Sequence, residues 1–216
     1  MRTRKATAVQ HPKPGTSGVW WHDGNRGPLE KLPFIGQFGC MKFTRVNLDK
    51  NMKPHFNDGI EIHYVESGKY AWEFEGKTVE LLPDDLSITA PWHLNGSPEG
   101  KMDLGRISWI ILKPLDFSPE KPLNLGKWTQ LPRSFQSGLG QLISCQKGIV
   151  LRKAKTFKKY VTELEKELTR QEKGYRTVVT NLLENFLIEL HRELESRKLR
   201  IERQDSFISR LGQLVS

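Results

Sequence analysis

Cysteine is scarce in this chain of 216 residues, which contains only Cys40 and Cys145. Two cysteines so far apart in the sequence do not make a disulfide framework. No Cys-x-x-Cys pair gives the spacing of a zinc site either. We therefore expect two buried thiols.

Long apolar runs are also missing. No stretch of about 18 uninterrupted apolar residues is present, so the sequence predicts no membrane-spanning helix. The first residues are basic but lack the apolar segment of a secretory signal. The sequence thus favours a cytoplasmic protein without a membrane partner.

The fingerprints of several large enzyme classes are absent as well. The chain has no Ser/His/Asp arrangement, no phosphate-binding glycine loop and no dinucleotide-binding motif. Hydrolase, kinase and dehydrogenase activities are therefore not indicated.

Positive charge is in excess, because 34 Lys and Arg face 25 Asp and Glu, for a formal net charge of +9. Such a surplus attracts phosphate groups. However, no helix-turn-helix, zinc-finger or RNP pattern accompanies it, and much of it falls on the solvent faces of predicted helices. Direct nucleic-acid binding is therefore the least favoured function class.

The sequence pattern from His55 to His93 predicts an antiparallel sheet. Short runs rich in β-branched and aromatic residues are separated by Ser67-Gly68, Glu75-Gly76 and Pro83-Asp84, which are turn signals. Side chains alternate along a strand, so residues 59–66 place Glu61, His63 and Val65 on one face and Ile60, Ile62 and Tyr64 on the other. Both faces are partly apolar. We expect this stretch to form the heart of a small β-barrel.

Further strands are predicted at Ile35–Val46 and at Gly105–Leu112, where Lys113-Pro114 ends the second one. In the strand near Trp72, the aromatic residues Tyr70, Trp72 and Phe74 share one face, which must point inward. The barrel is expected over residues 19–127. Residues 1–18 are rich in Pro, Gly, Ser and Thr and are expected to form a flexible arm.

After Leu131 the apolar period changes from two to 3.6 residues, which predicts helices at Ser134–Gln146, Thr156–Gln171 and Tyr175–Leu194. The third is the strongest helical signal in the chain. Its apolar residues cover about half of the helix circumference. They are Tyr175, Val178, Val179, Leu182, Leu183, Phe186, Leu187, Leu190 and Leu194.

Two motifs in the β-rich stretch resemble those of the cupin superfamily. The pattern His55-x-Asn57-x-x-x-Glu61, with Gly68 seven residues later, resembles the first motif, although Asn57 stands where a second histidine is usual. The segment from Asp85 to Pro91, followed by His93, resembles the second motif. The sequence EIHYVESGK…LLPDDLSITAPWH is similar to the sequences of the sensor domains of AraC-type transcriptional regulators.

This resemblance, which covers about residues 19–203, implies a mainly β fold with α-helices, a cupin-type β-barrel (jelly roll) followed by a C-terminal helical layer. It also implies that residues 128–200 form a helical dimerisation region. In the family a DNA-binding domain with two helix-turn-helix units follows, and residues 201–216 resemble the start of the segment that connects to it. DNA contact is therefore expected only through a domain that this chain lacks.

A metal-dependent cupin enzyme, such as a stand-alone dioxygenase or isomerase, is the alternative. His55, Glu61 and His93 would be its candidate ligands, since such sites need about three converging side chains. Asn57 replaces a histidine, and an amide oxygen is a poor ligand for iron, manganese or zinc. We therefore expect no metal, no cofactor and no catalytic residues, and a pocket whose side chains form hydrogen bonds instead.

A metal-free pocket needs flat apolar surfaces and a few fixed donors and acceptors. Trp109 falls where a sugar-binding member of the family has a tryptophan that stacks on its ligand, so the resemblance implies a small polar effector such as a sugar. Both tryptophans among the candidates could instead fill the core, Trp72 more readily than Trp109. The candidate ligand-binding residues are His55, Glu61, His63, Trp72, His93, Arg106 and Trp109.

The third predicted helix has a second face, opposite its apolar arc. In the family the corresponding helix pairs antiparallel with its copy across a two-fold axis. The resemblance therefore implies a homodimer with Ile188 near the centre of its interface. The candidate dimerisation residues are Thr177, Asn181, Glu184, Ile188 and His191.

Overall fold

Strand β4 lies in the middle of a six-stranded antiparallel sheet in the computed structural model, which describes residues 15–214. The strand order of this sheet is β1-β2-β10-β4-β7-β13. A three-stranded sheet, β6-β5-β8, and the strand pairs β3-β9 and β11-β12 complete the β-structure. The strands are Thr16–Trp21 (β1), Ile35–Phe43 (β2), Asn47–Leu48 (β3), Ile60–Gly68 (β4), Tyr70–Phe74 (β5), Lys77–Leu81 (β6), Leu86–Thr89 (β7), Asn95–Gly96 (β8), Lys101–Met102 (β9), Gly105–Leu112 (β10), Asp116–Ser118 (β11), Lys121–Asn124 (β12) and Ile149–Leu151 (β13).

The large sheet separates two apolar clusters, because side chains alternate along each strand. In β4, Ile62 and Tyr64 belong to the cluster that also contains the helices, whereas Val65 belongs to the cluster inside the barrel. In β10, Ile110 and Ile107 divide in the same way. Both faces of the central strands are therefore covered, as the sequence predicted.

The smaller three-stranded sheet contributes aromatic residues to the barrel interior. Tyr70, Trp72 and Phe74 of β5 are all buried, as the aromatic face of this strand predicted. The turn from β5 to β6 places Glu75 and Gly76 at φ values of 49° and 81°, in the left-handed region that glycine tolerates best. The Glu75-Gly76 turn signal is therefore confirmed.

Three α-helices follow the barrel, at Arg133–Ser144 (α1), Lys158–Arg170 (α2) and Tyr175–Leu214 (α3). The first two agree with the predicted helices within a few residues. Gln171 ends α2 by adopting a left-handed conformation, with φ 49° and ψ 41°. α3 is twice as long as predicted, because its backbone stays helical through residues 195–214.

The apolar arc of α3 packs as predicted with one exception. Leu183, Phe186, Leu187 and Leu190 are at most 2% exposed and lie in the main apolar cluster. Val178 is 42% exposed, which corrects its place in the arc. It lies at the edge of an arc that the barrel and α2 cover only in part.

The helical layer confirms the predicted fold class, a mainly β structure in which a cupin-type barrel precedes C-terminal helices. Strand β1 starts at Thr16 and pairs with β2, so residues 16–18 of the expected arm belong to the sheet. Residues 1–14 lie outside the described part of the chain. The prediction of two buried thiols is wrong for Cys145, which is exposed, while Cys40 is buried. None of the helices described is long and apolar enough to cross a membrane.

Candidate functional site

The barrel encloses a cavity of about 340 Å³ that opens to solvent. Its wall is built from β1, β2, β4, β5, β9 and β10 together with three connecting segments. Five of the residues predicted to bind a ligand line this cavity, namely His55, Glu61, His63, Trp72 and Trp109. The other lining residues are Trp20, His22, Asp23, Gln37, Asn51, Met52, Asn57, Met102 and Ile107.

Strand alternation explains how the polar residues reach this cavity. Glu61 and His63 lie on the inner face of β4, and Trp109 lies opposite His63 on β10 in the antiparallel register. Residues between them point outward to the helices. Because every second side chain of a strand points to the same face, β4 contributes a polar wall to the cavity and the neighbouring strand β10 contributes an aromatic surface.

Glu61 is the most deeply buried carboxylate of the cavity, at 5% exposure. Its Oε2 accepts a hydrogen bond of 2.8 Å from the side-chain amide of Asn57. Its Oε1 lies 3.4 Å from Nε2 of His63. The other ring nitrogen of His63, Nδ1, is 3.3 Å from the hydroxyl of Ser87. The four side chains form one chain of polar contacts from a loop to β7.

Burial sets the protonation of this group. Loss of solvent raises the pKa of Glu61 to about 7 and lowers the pKa of His63 to about 3. His63 is therefore neutral at physiological pH, and the Glu61 carboxyl gains or loses its proton near neutrality. In its protonated form Glu61 can donate to His63 while it still accepts from Asn57.

Three indole rings form the apolar part of the wall. Trp20 and Trp109 meet edge to face, with ring centroids 5.9 Å apart. Trp72 lies 4.6 Å from the His63 ring and is almost fully buried, and its Nε1 donates to Asn95. Trp72 thus fills the core and holds His63, whereas half-buried Trp109 presents surface to the cavity.

Arg106 is placed differently from the prediction. It lies on the outer face of β10, where its Nε donates to Glu66 at 2.9 Å and an Nη2 hydrogen bond reaches Glu165 of α2 at 2.6 Å. The same nitrogen lies 2.9 Å from the thiol of Cys40. Arg106 is two positions from Ser108 and four from Ile110, so alternation places it on the same outer face as these residues, toward the helices and opposite the face of Trp109. Arg106 does not line the cavity.

His93 also lies outside the cavity lining, which corrects the prediction that it binds the ligand. It is buried next to Trp92, with ring centroids 5.6 Å apart, and its Nδ1 has no hydrogen-bond partner among the described residues. Burial lowers the pKa of His93. Since His93 does not join Glu61, the expected ligand set of the metal cupin alternative is not assembled. In the part of the chain that the structure describes, no three His, Cys, Asp or Glu side chains are grouped to hold a metal ion.

Sequence reasoning missed several residues of the wall. Trp20 and Gln37 come from β1 and β2, and the Trp20 indole donates to Gln37 at 3.3 Å. Met52 and Met102 come from a 3-10 helix and from β9. Alternation could have found Gln37, because it places this polar residue on the face opposite the apolar residues Phe38 and Cys40 of β2. Nothing in the sequence indicates Met52 or Met102, which distant segments bring together.

The candidate dimerisation residues on α3 divide into two groups. Thr177 and Asn181 are exposed and Ile188 is half-buried. Glu184 instead accepts hydrogen bonds within the chain, at 2.7 Å from the Thr129 hydroxyl and at 2.5 Å from the backbone N–H of Gln130. The open surface of α3 is therefore narrower than predicted on that side.

His191, the last residue of the candidate set, is also engaged within the chain. Its ring stacks on Phe135 of α1 with centroids 4.7 Å apart. Its Nδ1 lies 3.3 Å from a carboxylate oxygen of Glu195. Helix α1 therefore covers this edge of α3, which the sequence had placed on the free face.

Comparison with known protein families matches a segment that supplies part of the cavity wall. Residues 47–95 match the family model described as the AraC-like ligand binding domain. This match confirms the resemblance to the sensor domains of AraC-type regulators, and it covers the part of the chain that carries Glu61, His63 and Trp72. A search of curated proteins finds no match.

Several solved structures are similar to the chain. The AraC-like transcriptional activator CuxR is 10% identical, with 80% of this chain and 55% of that chain covered at a TM-score of 0.45. KdgF from Halomonas sp. is 23% identical, with 50% and 87% covered at a TM-score of 0.32. Protein YlbA from E. coli is 17% identical, with 59% and 52% covered at a TM-score of 0.37.

Proposed function

From the AraC-like ligand-binding segment at residues 47–95, we propose that the chain is the effector-sensing and dimerisation part of an AraC-type transcription regulator. A small polar ligand binds in the barrel cavity and changes the regulator's contacts with DNA. DNA is read by a helix-turn-helix domain outside this sequence.

The observation that carries this proposal is the cavity itself. It combines the indole surface of half-buried Trp109 with fixed polar groups at Gln37, Asn57, Glu61 and His63. Small-molecule sites have this composition, in which apolar walls supply area and a few placed polar groups supply orientation. A volume of about 340 Å³ suits a ligand of the size of a sugar.

A connection from the cavity to the helices supports a sensing role. Strand β10 carries Trp109 on its inner face and Arg106 on its outer face, three residues apart. Arg106 is bonded to Glu165 on α2, and α2 packs on α3. A ligand that moves β10 at Trp109 therefore moves a strand that is tied to the helical layer.

The exposed face of α3 supports the dimerisation part of the proposal. Thr177, Asn181 and Ile188 lie along one line of the helix, since they are four and seven residues apart. A self-complementary patch of this kind, repeated on a second copy across a two-fold axis, makes a symmetric interface. Ile188 would lie near its centre.

A thermal-shift screen of small polar compounds, with sugars included, tests the proposal. A ligand that binds only the folded state raises the melting temperature, and Trp109→Ala should remove that increase. Trp128→Ala is the matched control, because it also deletes an indole but one that stacks on Phe34 outside the cavity. An effect that survives Trp109→Ala and is lost in Trp128→Ala would place the ligand site elsewhere.

A further inference from the structure

The sign of charge inside the barrel is opposite to that of the whole chain. The chain carries a formal net charge of +9. Among the described residues that line the cavity, two are carboxylates, Asp23 and Glu61, and none is Lys or Arg. The surroundings of a ligand in this cavity are therefore acidic within a basic protein.

The two carboxylates differ in how their charge is balanced. Asp23 lies at the exposed mouth, 3.0 Å from the guanidinium of Arg26 and 3.6 Å from Nζ of Lys113. Glu61 is buried, and its nearest basic group among the described residues is His63. Because burial keeps His63 neutral, the ionised form of Glu61 has no countercharge from the protein.

A buried carboxylate without a countercharge is costly, and the cost falls when a cation binds next to it. The indole surfaces of the same cavity favour the same partner, since the face of a tryptophan ring attracts cations. Trp109 and Trp20 supply such surface on the wall that also carries Gln37. Carboxylate and aromatic rings thus select one sign of charge.

A second, mainly apolar recess adjoins the cavity and shares Trp20, Met52, Met102 and Trp109 with it, while Thr16, Asn47 and Asp49 are its polar lining residues. Its remaining wall includes Met41 and Phe43. It has room for the hydrocarbon part of a ligand whose charged end lies at Glu61. None of the described residues of this recess is Lys or Arg either.

We propose that the effector of this cavity is an organic cation, a protonated amine or a quaternary ammonium compound, whose charge lies beside Glu61 and against the indole of Trp109. This inference rests on the proposed sensing function and names the chemical class of its ligand. Anionic effectors are disfavoured, because none of the described lining residues is Lys or Arg and an anion would lie beside the carboxyl of Glu61. A neutral sugar remains the outcome that the test must separate from a cation.

Isothermal titration calorimetry with an isosteric set tests the sign of charge. The probes are choline, its neutral carbon analogue 3,3-dimethylbutan-1-ol and the anion 3,3-dimethylbutanoate, with glucose as a neutral sugar and agmatine and putrescine as further amines. We expect at least one amine to bind, choline at least about tenfold more tightly than its neutral analogue, and the anion to show no binding.

Variants locate the binding and its charge dependence. Glu61→Gln keeps the shape of the side chain and its contacts with Asn57 and His63, and should weaken cation binding by about tenfold while it leaves the neutral analogue within about twofold. Trp109→Ala should weaken both. Glu163→Gln, which removes a half-exposed carboxylate of α2 that pairs with Lys166 outside the cavity lining, is the matched control and should change neither.

The outcomes separate the two proposals. Binding of glucose or the neutral alcohol that is as tight as that of the amines, and that depends on Trp109, overturns the cationic ligand and leaves the sensing function in place. Cation binding that is unchanged in Glu61→Gln also overturns it. If no probe binds in a Trp109-dependent way, the cation proposal is rejected, while the wider screen of the sensing function stands as a separate test.

Discussion

Gly39 lies directly beneath the indole of Trp109. The two residues are paired across β2 and β10, and a Cβ atom built on Gly39 would overlap ring atoms Cζ2 and Cε2 of that indole. Trp20 is paired with Gly39 from the other side, on β1. The missing side chain at this position therefore makes room for two indoles to meet over one strand.

Gly39→Ala should move the Trp109 ring and weaken the binding of choline or of any ligand found in the thermal-shift screen. Overpacking of this kind also costs about 1–3 kcal/mol of unfolding free energy. Calorimetry measures the affinity, urea denaturation the stability, and near-UV circular dichroism the change in tryptophan environment.

Gly36→Ala is the matched control on the same strand. A Cβ atom there would meet Cε of Lys113 at 2.7 Å, which is the far end of a flexible side chain that can move away. This variant should bind ligand as the wild type does. Wild-type affinity in Gly39→Ala would show that the position of the Trp109 ring does not matter for binding.

Glu61→Gln should make the protein more stable at alkaline pH. Burial raises the pKa of Glu61 from 4.5 to about 7, so the folded state holds this proton more tightly than the unfolded state. The resulting stability is fully present below pH 4.5 and is lost as the pH rises through 7. The glutamine of the variant has no proton to release, so the stability of the variant does not fall in this way. The unfolding free energy of the variant, relative to that of the wild type, should therefore rise by roughly 2–3 kcal/mol between pH 5 and pH 8.

Urea denaturation of both proteins at pH 5, 6, 7 and 8 measures this difference. His63 is present in both, so its own titration contributes equally to the two curves. A difference between wild type and variant that stays constant with pH would show that the carboxyl of Glu61 is not desolvated in the folded protein.

Arg106→Ala should destabilise the protein without affecting the cavity. The change leaves Glu66 and Glu165 without their shared guanidinium, and we expect a loss of about 2 kcal/mol in unfolding free energy. Ligand affinity, measured by calorimetry, should remain within about twofold of wild type. A loss of ligand binding with an unchanged unfolding free energy would show that Arg106 belongs to the ligand site after all.

Ile188→Glu should separate the proposed dimer and keep the fold, because Ile188 is only partly buried on the open face of α3. Leu183→Glu is the contrasting variant. Leu183 is 1% exposed inside the main apolar cluster, and an unpaired charge there should cost several kcal/mol, roughly 3–5. Analytical ultracentrifugation gives the oligomeric state, and a monomeric wild type or an equally tight Ile188→Glu dimer would remove α3 from the interface.

Local patterns in the sequence identified the central strands of the barrel and the positions of the three helices, but not the short strands or the full length of α3. The alternation in Ile60–Gly68 placed Glu61 and His63 on one face of β4, and both line the cavity. The 3.6-residue period after Leu131 gave the three helices, since period depends only on neighbouring residues. The motif around Asn57 and Glu61 also identified the segment that the family model matches.

Positions that depend on packing between distant segments were decided only by the tertiary structure. Arg106 and His93 have residue types suited to a binding site, yet the face of β10 and the path of the chain near Trp92 place them elsewhere. Glu184 and His191 belong to the predicted free face of α3, but the segment at Thr129 and helix α1 cover them.

The acidic and aromatic composition of the cavity lining was likewise not predictable from the sequence. The sequence supplied the basic total charge, whereas the fold gathered Glu61 and Asp23 with three indoles and kept every Lys and Arg off the described lining. A sequence fixes how each residue faces relative to its neighbours along the chain. Which side chains share a wall depends on strand order and on the closure of the barrel, because β1, β2, β4 and β10 meet only after folding.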